Sequence, residues 1–274
     1  MVGRGGFSKI RLMVPLMRII VPVESLLDSK YGQIICYPKC DLEMLRRRVE
    51  EIIKLGIRTM LFMGDKTIDG IPVLGKGYVG IVVAALLRER HVVALKILRA
   101  DAEPKRLLHE AEMLRIANSV NVGPKLLGYS ENFLVMEYIE GSLLPKWIEE
   151  REKDEKNACK RLCTVLRDIL EQCWRLDSIG LDHGELSWAD KHIIVDAHDK
   201  PYILDFETAS NKRRTANVTS ISQYLFIWGR IAEKITKKFT YIDRGELIQA
   251  LRAYKREKTR KQFENILRIT GLLT

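Results

Sequence analysis

Residues 74–98 read LGKGYVGIVVAALLRERHVVALKIL: two β-rich runs, IVVAALL and HVVALKIL, joined by the charged RER and entered through glycines at 75, 77 and 80. The glycines fit the spacing G-x-G-x-x-G-x-V, in which absent side chains let backbone N–H groups approach a phosphate-bearing ligand. A dinucleotide fingerprint would open into a helix after its glycines, whereas the residues after Gly80 are β-rich. The stretch therefore predicts an antiparallel hairpin with a lysine, Lys96, sixteen residues after Gly80 on its second strand.

Working outward, four further segments keep a fixed order. HEAEMLRIAN (109–118) continues a helix for which Asp101 is the expected cap and Pro104 lies in the first turn. Glu110 lies beside its apolar stripe, so its carboxylate can face inward and hold a lysine, whereas Glu112 reads as a surface acid. FLVMEYIEG (133–141) is a strand running into a turn, with Met136 at its end and the backbone of Glu137 to Ile139 open to bonding. HGELSWADKHIIV (183–195) carries Glu185 in a loop before a strand, and YILDFETAS (202–210) carries Asp205 after another.

Together these pieces, from about Pro72 to Ser210, resemble the protein-kinase-like superfamily, and specifically the atypical, compact archaeal kinases similar to the RIO kinases and the KEOPS-complex kinase. The HGE-L-S loop, the DFE-x-A-S ending and NVTSISQYLF (217–226) look like a predicted archaeal serine/threonine kinase family of that group. The resemblance implies an α+β, two-lobed fold, with a β-rich N-lobe and a helical C-lobe. It implies ATP with Mg²⁺ or Mn²⁺, and phosphorylation of a protein hydroxyl or an ATPase-driven switch in a ribonucleoprotein setting. Gly75, Lys76, Gly77, Gly80, Val82 and Ala94 would then surround the nucleotide, Lys96 paired with Glu110 would grip its phosphates, and Met136, Glu137 and Ile139 would line the adenine. Asp205 would bind the metal. The second metal ligand is either Asp190, at the expected spacing and a hard oxygen donor, or His192, directly before the strand. His183 would brace the loop near Asp205.

The departures are specific. Glu185 stands where the catalytic aspartate belongs, which moves the carboxylate outward by one methylene, roughly 1.5 Å. A misplacement of about 1 Å can cost on the order of a hundredfold in rate, so Glu185 is expected to be a weak base. Glu207 replaces the glycine of D-F-G, no A-P-E comes after it, and 69 residues remain beyond Asp205. Two alternatives stay open: a small-molecule phosphotransferase of the choline or aminoglycoside type, and a nucleotide-binding pseudokinase or ATPase switch acting in an RNA or ribonucleoprotein complex.

Charge is unevenly distributed. From Lys212 onward there are fifteen Lys and Arg against five acids, so this region accounts for the whole formal net charge of +10. An RNA or another acidic partner would suit it, as would a solvated helix face. The five cysteines fit neither a disulfide framework nor a paired zinc motif, and those at 159, 163 and 173 read as small buried hydrophobes. The apolar stretch 12–27 is broken by Arg18 and two prolines, which argues against a membrane span or signal peptide and makes the cytoplasm the expected location. Residues 1–65 read as an N-terminal αβ extension with strands at 17–23, 33–37 and IRTMLFM and a helix from Asp41 to Gly56. Residues 66–139 read as the N-lobe, and 140–274 as a compact C-lobe ending in three helical patterns.

Overall fold

The computed structural model describes residues 18–87, 91–151, 158–237 and 242–273. The expected linker RER, the first residue of the expected strand 17–23 and Asn157 at the head of an expected helix lie outside the described residues. The fold is mixed α+β, and the chain divides into two compact units, Met1–Asp101 and Ala102–Thr274, where the sequence placed divisions near 65 and 139.

The first unit contains β1 (Ile19–Pro22), α1 (Gly32–Ile35), α2 (Leu42–Lys54), β2 (Ile57–Phe62), the small hairpin β3 (Lys66–Ile68) and β4 (Ile71–Val73), β5 (Gly75–Lys76), β6 (Gly80–Leu87) and β7 (Val92–Leu98). Its main sheet is antiparallel in the order β1-β2-β6-β7, with β5 also on β6. The two strands before residue 65 thus complete the sheet of the glycine hairpin. Helix α2 forms as its apolar stripe predicts. Asp41 caps it by accepting from Met44 N–H at 2.8 Å, Gly56 ends it at φ 84°, and Leu45, Val49 and Ile52 are buried. The stretch at 33–37, expected as a strand, is instead the single helical turn α1, with Ile34, Ile35 and Cys36 all buried. An apolar run this short carries no period that separates the two.

Arg48 on α2 is the one cation in that helix's buried face, 5% exposed. Its Nη1 donates to Ile35 C=O at 2.6 Å and to Leu98 C=O at 2.7 Å, joining the end of α1 to the end of β7.

The second unit runs α3 (Lys105–Asn118), a hairpin of β8 (Leu126–Tyr129) and β9 (Phe133–Glu137), β10 (Gly141–Leu143), α4 (Leu144–Arg151), α5 (Ala158–Ser178), a 3₁₀ segment (Leu186–Lys191), β11 (Ile193–Asp196) and β12 (Pro201–Ile203). It continues with α6 (Asn217–Ser222), a π-helical turn (Gln223–Ile227), α7 (Gly229–Thr236), α8 (Arg244–Arg256) and α9 (Arg260–Ile269). Asp101 does not cap α3. It pairs with Arg99 at 2.7 Å, and Pro104 precedes the helix without a side-chain bond. Strands β10, β11 and β12 make an antiparallel three-stranded sheet.

Leu162, Val165, Leu166, Ile169, Leu170 and Cys173 of α5 are all buried, as the helical period requires. At about 1.5–3 kcal/mol for each large aliphatic side chain, this stripe organises the core of the unit. Of the three cysteines expected inside, only Cys173 is buried; Cys159, at the open first turn of α5, is exposed, and Cys163, beside the inward stripe, is half-buried against the core. Near the end of the helix, buried Asp177 accepts from Asn217 N–H (3.0 Å), Asn217 Nδ2 (2.8 Å), Val218 N–H (3.2 Å) and the Tyr254 hydroxyl (2.9 Å). Burial pushes its carboxyl up and those four donors pull it back. The same carboxylate therefore starts α6 and anchors α8.

Candidate functional site

In the first unit, cross-strand register sets Val82 opposite Lys96 and Ala84 opposite Ala94. Alternation places these four on one face of the hairpin, where two alanines leave a flat strip beside the lysine. Lys96 is 6% exposed. A Cβ on Gly80 would sit 2.9 Å from Ile97 C=O and 3.2 Å from Lys96 Cγ, so only glycine lets the lysine stem lie against this strand. Gly75 and Gly77 are less constrained, with nearest Cβ contacts at 3.5 and 3.3 Å. Lys76 lies over the ring of Tyr37 (4.9 Å) with Arg99 also against that ring (5.2 Å), and Tyr37 C=O accepts from Ala100 N–H at 2.8 Å. The stretch before residue 65 therefore holds the glycine turn as well as completing its sheet.

In the second unit, Asp205 comes after β12 in the left-handed region, φ 67°. A non-glycine residue there costs energy and persists only when its surroundings impose it. Two histidines do so by clamping the preceding residue. Leu204 N–H donates to His192 C=O (2.8 Å), and Leu204 C=O meets His183 Nε2 (2.9 Å). His183 is completely buried, and burial drives its imidazole down to about 4, so it is neutral. With its proton on Nε2, its Nδ1 accepts from Glu185 N–H at 3.4 Å. Its ring also stacks edge-on against Phe206 (5.1 Å) and His192 (5.6 Å). His183 thus braces both ends of the loop, the role the resemblance implied.

Around this clamp the polar groups converge. Glu185, His192 and Asp205 place one ligand atom each within 4.8 Å of one another, and Glu110, Asp205 and Glu207 form a second such group. His192 is 3% exposed. Its Nε2 lies 3.3 Å from Glu185 Oε2, while Nδ1 has no hydrogen-bond partner and lies 3.9 Å from Asp205 Oδ2. If Nε2–H faces Glu185, the Nδ1 lone pair points toward a carboxylate, and a cation between them relieves that arrangement. The donor set of two carboxylates and an imidazole fits a divalent ion.

Gly184, at φ 96°, cannot be another residue without displacing its neighbours. A Cβ there would collide with Arg213 Nη2 and lie 3.0 Å from Thr208 Oγ1. Arg213 in turn binds Asp182 Oδ2 (2.5 Å) and Thr208 C=O (2.8 Å), pinning the segment after Asp205 to the loop carrying Glu185.

Of the other expected residues, Glu110 converges with Asp205 and Glu207, and Asp190 joins neither group. Glu110 is 2% exposed on α3, next to His109, whose Nε2 lies 2.8 Å from Ala209 C=O. Met136 and Glu137 end β9. Glu137 N–H donates to Lys125 C=O (2.9 Å), and the Glu137 carboxylate accepts from Lys125 N–H (3.1 Å). Ile139 lies two residues beyond Glu137, half-buried. Asp190 is not brought to the acidic centre. It is exposed and accepts from the Tyr224 hydroxyl at 2.9 Å. Of the two candidates for the second ligand, only His192 stands in a converging group. Sequence reasoning missed Glu207 as a group member. Its signal was a second acid two residues after Asp205, separated by the buried Phe206.

Fold and site together define a mixed α+β protein with a carboxylate–histidine centre built where a loop with a buried histidine meets short strands. A comparison with curated proteins finds one from Methanocaldococcus jannaschii named "Uncharacterized protein MJ1211", 36% identical over 100 residues, which are 36% of this chain and 79% of that protein. The chain belongs to the same family as that protein. No family profile matches the chain.

Proposed function

We propose that this protein is an ATP-dependent phosphotransferase of the two-lobed protein-kinase-like type, acting on a protein hydroxyl or on itself. The observation that carries the reading is the buried His192, whose unpartnered Nδ1 faces Asp205 beside Glu185. Asp205, His192 and Glu185 would hold a divalent ion, Mg²⁺ or Mn²⁺, which when bound neutralises charge on phosphate oxygens. Lys96, stripped of most of its water, would present its charge to the phosphates, and the Val82–Ala94 face would receive the flat base. Positioning and electrostatics of this kind supply most of the catalysis in phosphoryl transfer.

A second reading, hydrolysis of ATP to drive a switch, is favoured by the contact between Glu185 and His192. A carboxylate engaged there serves as a ligand rather than as a base for an acceptor hydroxyl. One assay separates the two: γ-labelled ATP with Mg²⁺ or Mn²⁺, tracking labelled protein and free phosphate for wild type, Asp205→Ala and Glu185→Gln. Labelled protein lost in both variants supports the transferase. Free phosphate alone, lost in Asp205→Ala, supports the switch. Wild type giving neither product above the Asp205→Ala background sinks both.

A further inference from the structure

We propose that the concave basic surface formed by Arg214 and helix α8 binds the phosphodiester backbone of nucleic acid, without reading its sequence. Arg214, Gln249, Arg252, Lys255 and Arg256 line an open concavity of about 550 Å³ with no acidic residue in its wall. It is built by folding rather than by one basic helix: Arg214 reaches across from the segment before α6 and donates to Lys255 C=O at the end of α8. Close by, Lys258 Nζ donates to the Thr215 hydroxyl at 2.7 Å, holding the same two segments together.

Several other cations of the region are already neutralised by carboxylates. Arg213 pairs with Asp182, Arg230 and Lys234 with Glu149, Arg260 with Glu171 and Glu264, and Arg268 with Glu246. Arg214, Arg252, Lys255 and Arg256 pair with no carboxylate among the described residues, and all four are exposed. Four like charges gathered on one concave wall raise a positive potential that attracts a polyanion. Along α8, Arg252 and Arg256 are four residues apart, about 6 Å along the axis, so they can meet successive phosphates rather than one. The wall offers no buried anchor for a discrete small anion, whereas a repeating charged backbone suits an open row of guanidinium and ammonium groups.

The test is fluorescence anisotropy of the full chain with labelled single-stranded RNA and DNA of about 20 nucleotides, between about 50 and 200 mM salt. Four phosphate contacts predict that log affinity falls with log salt with a slope of about −3 on a single strand. The triple variant R252Q/K255Q/R256Q should bind at least about tenfold more weakly at low salt, with a slope shallower by about 2. The control K39Q/K54Q/K66Q removes the same charge from exposed positions of the first unit and should bind like wild type. Thermal melts by circular dichroism establish that both variants fold. Equal losses in the two variants, reporting only net charge, would overturn the proposal. So would unchanged binding by the α8 variant, or a wild type that binds neither nucleic acid.

Discussion

Replacing Arg48 by methionine keeps the aliphatic bulk of the side chain and removes its guanidinium. Burying an apolar residue in place of an ion is often neutral or favourable when both charged partners are replaced. Here two of the partners are backbone carbonyls that stay behind. Ile35 C=O and Leu98 C=O, accepting at 2.6 and 2.7 Å from a residue 5% exposed, would lose their donor inside the unit. Each orphaned carbonyl costs about 1–3 kcal/mol, and hydrogen bonds from charged donors sit at the upper end, so the expected loss is about 3–5 kcal/mol. All four tryptophans, at 147, 174, 188 and 228, lie in the second unit, so fluorescence would not report this directly. Hydrogen exchange of peptides covering β6 and β7 would, and the expected loss lowers protection there by roughly a thousandfold, at about 1.4 kcal/mol per decade. The neighbouring Arg47→Met, whose side chain is 71% exposed beside Glu43, should cost under about 0.5 kcal/mol. Arg48→Lys, with a point charge in place of a fork, should fall between them. Arg48→Met exchanging like Arg47→Met would refute the clamp as an energetic feature.

Deleting residues 1–65 removes β2, which pairs with β6, and β1 beyond it, and exposes the edge of β6 that β2 covered, so the remaining chain should aggregate on size-exclusion chromatography; a monodisperse product with native far-UV dichroism would contradict this. His192→Asn exchanges an imidazole nitrogen for an amide oxygen, and should weaken Mn²⁺ relative to Mg²⁺ by about tenfold, because imidazole suits transition metals better than it suits Mg²⁺. Electron paramagnetic resonance of free Mn²⁺ in a titration reads the change without ATP or turnover, and equal Mn²⁺ affinity in variant and wild type would remove His192 from the ligand set.

Much of the fold was legible where periodicity and glycine placement agree. The hairpin of β6 and β7 with its lysine, the capped helix α2 and the inward stripe of α5 are all written in local pattern, which tertiary packing then reinforces rather than overrides. Where pattern is short it fails: Gln33 to Tyr37 carries the residues of a strand, yet packing seats Ile34 and Ile35 inside as one helical turn. Asp101 has the chemistry of a cap, yet Arg99 two residues earlier takes its carboxylate.

The candidate site divides in the same way. Spacing located Asp205 and Glu185, but left Asp190 and His192 as rival ligands, and ligand hardness alone favours the aspartate. What separates them is the backbone between Glu185 and β11. The 3₁₀ segment, kinked at Trp188 (φ −129°, ψ 54°), leaves Asp190 exposed to meet the Tyr224 hydroxyl. His192 ends the segment, and its carbonyl binds Leu204 N–H, so it is tied to the residue that precedes Asp205. A ligand fixed through its own backbone to its neighbour in the group needs little ordering when an ion arrives, whereas Asp190 would have to leave a hydrogen bond and move. In the proposed ion site placement would thus outweigh intrinsic preference, and it would also account for the histidine, since a planar ring can face Glu185 through one nitrogen and Asp205 through the other.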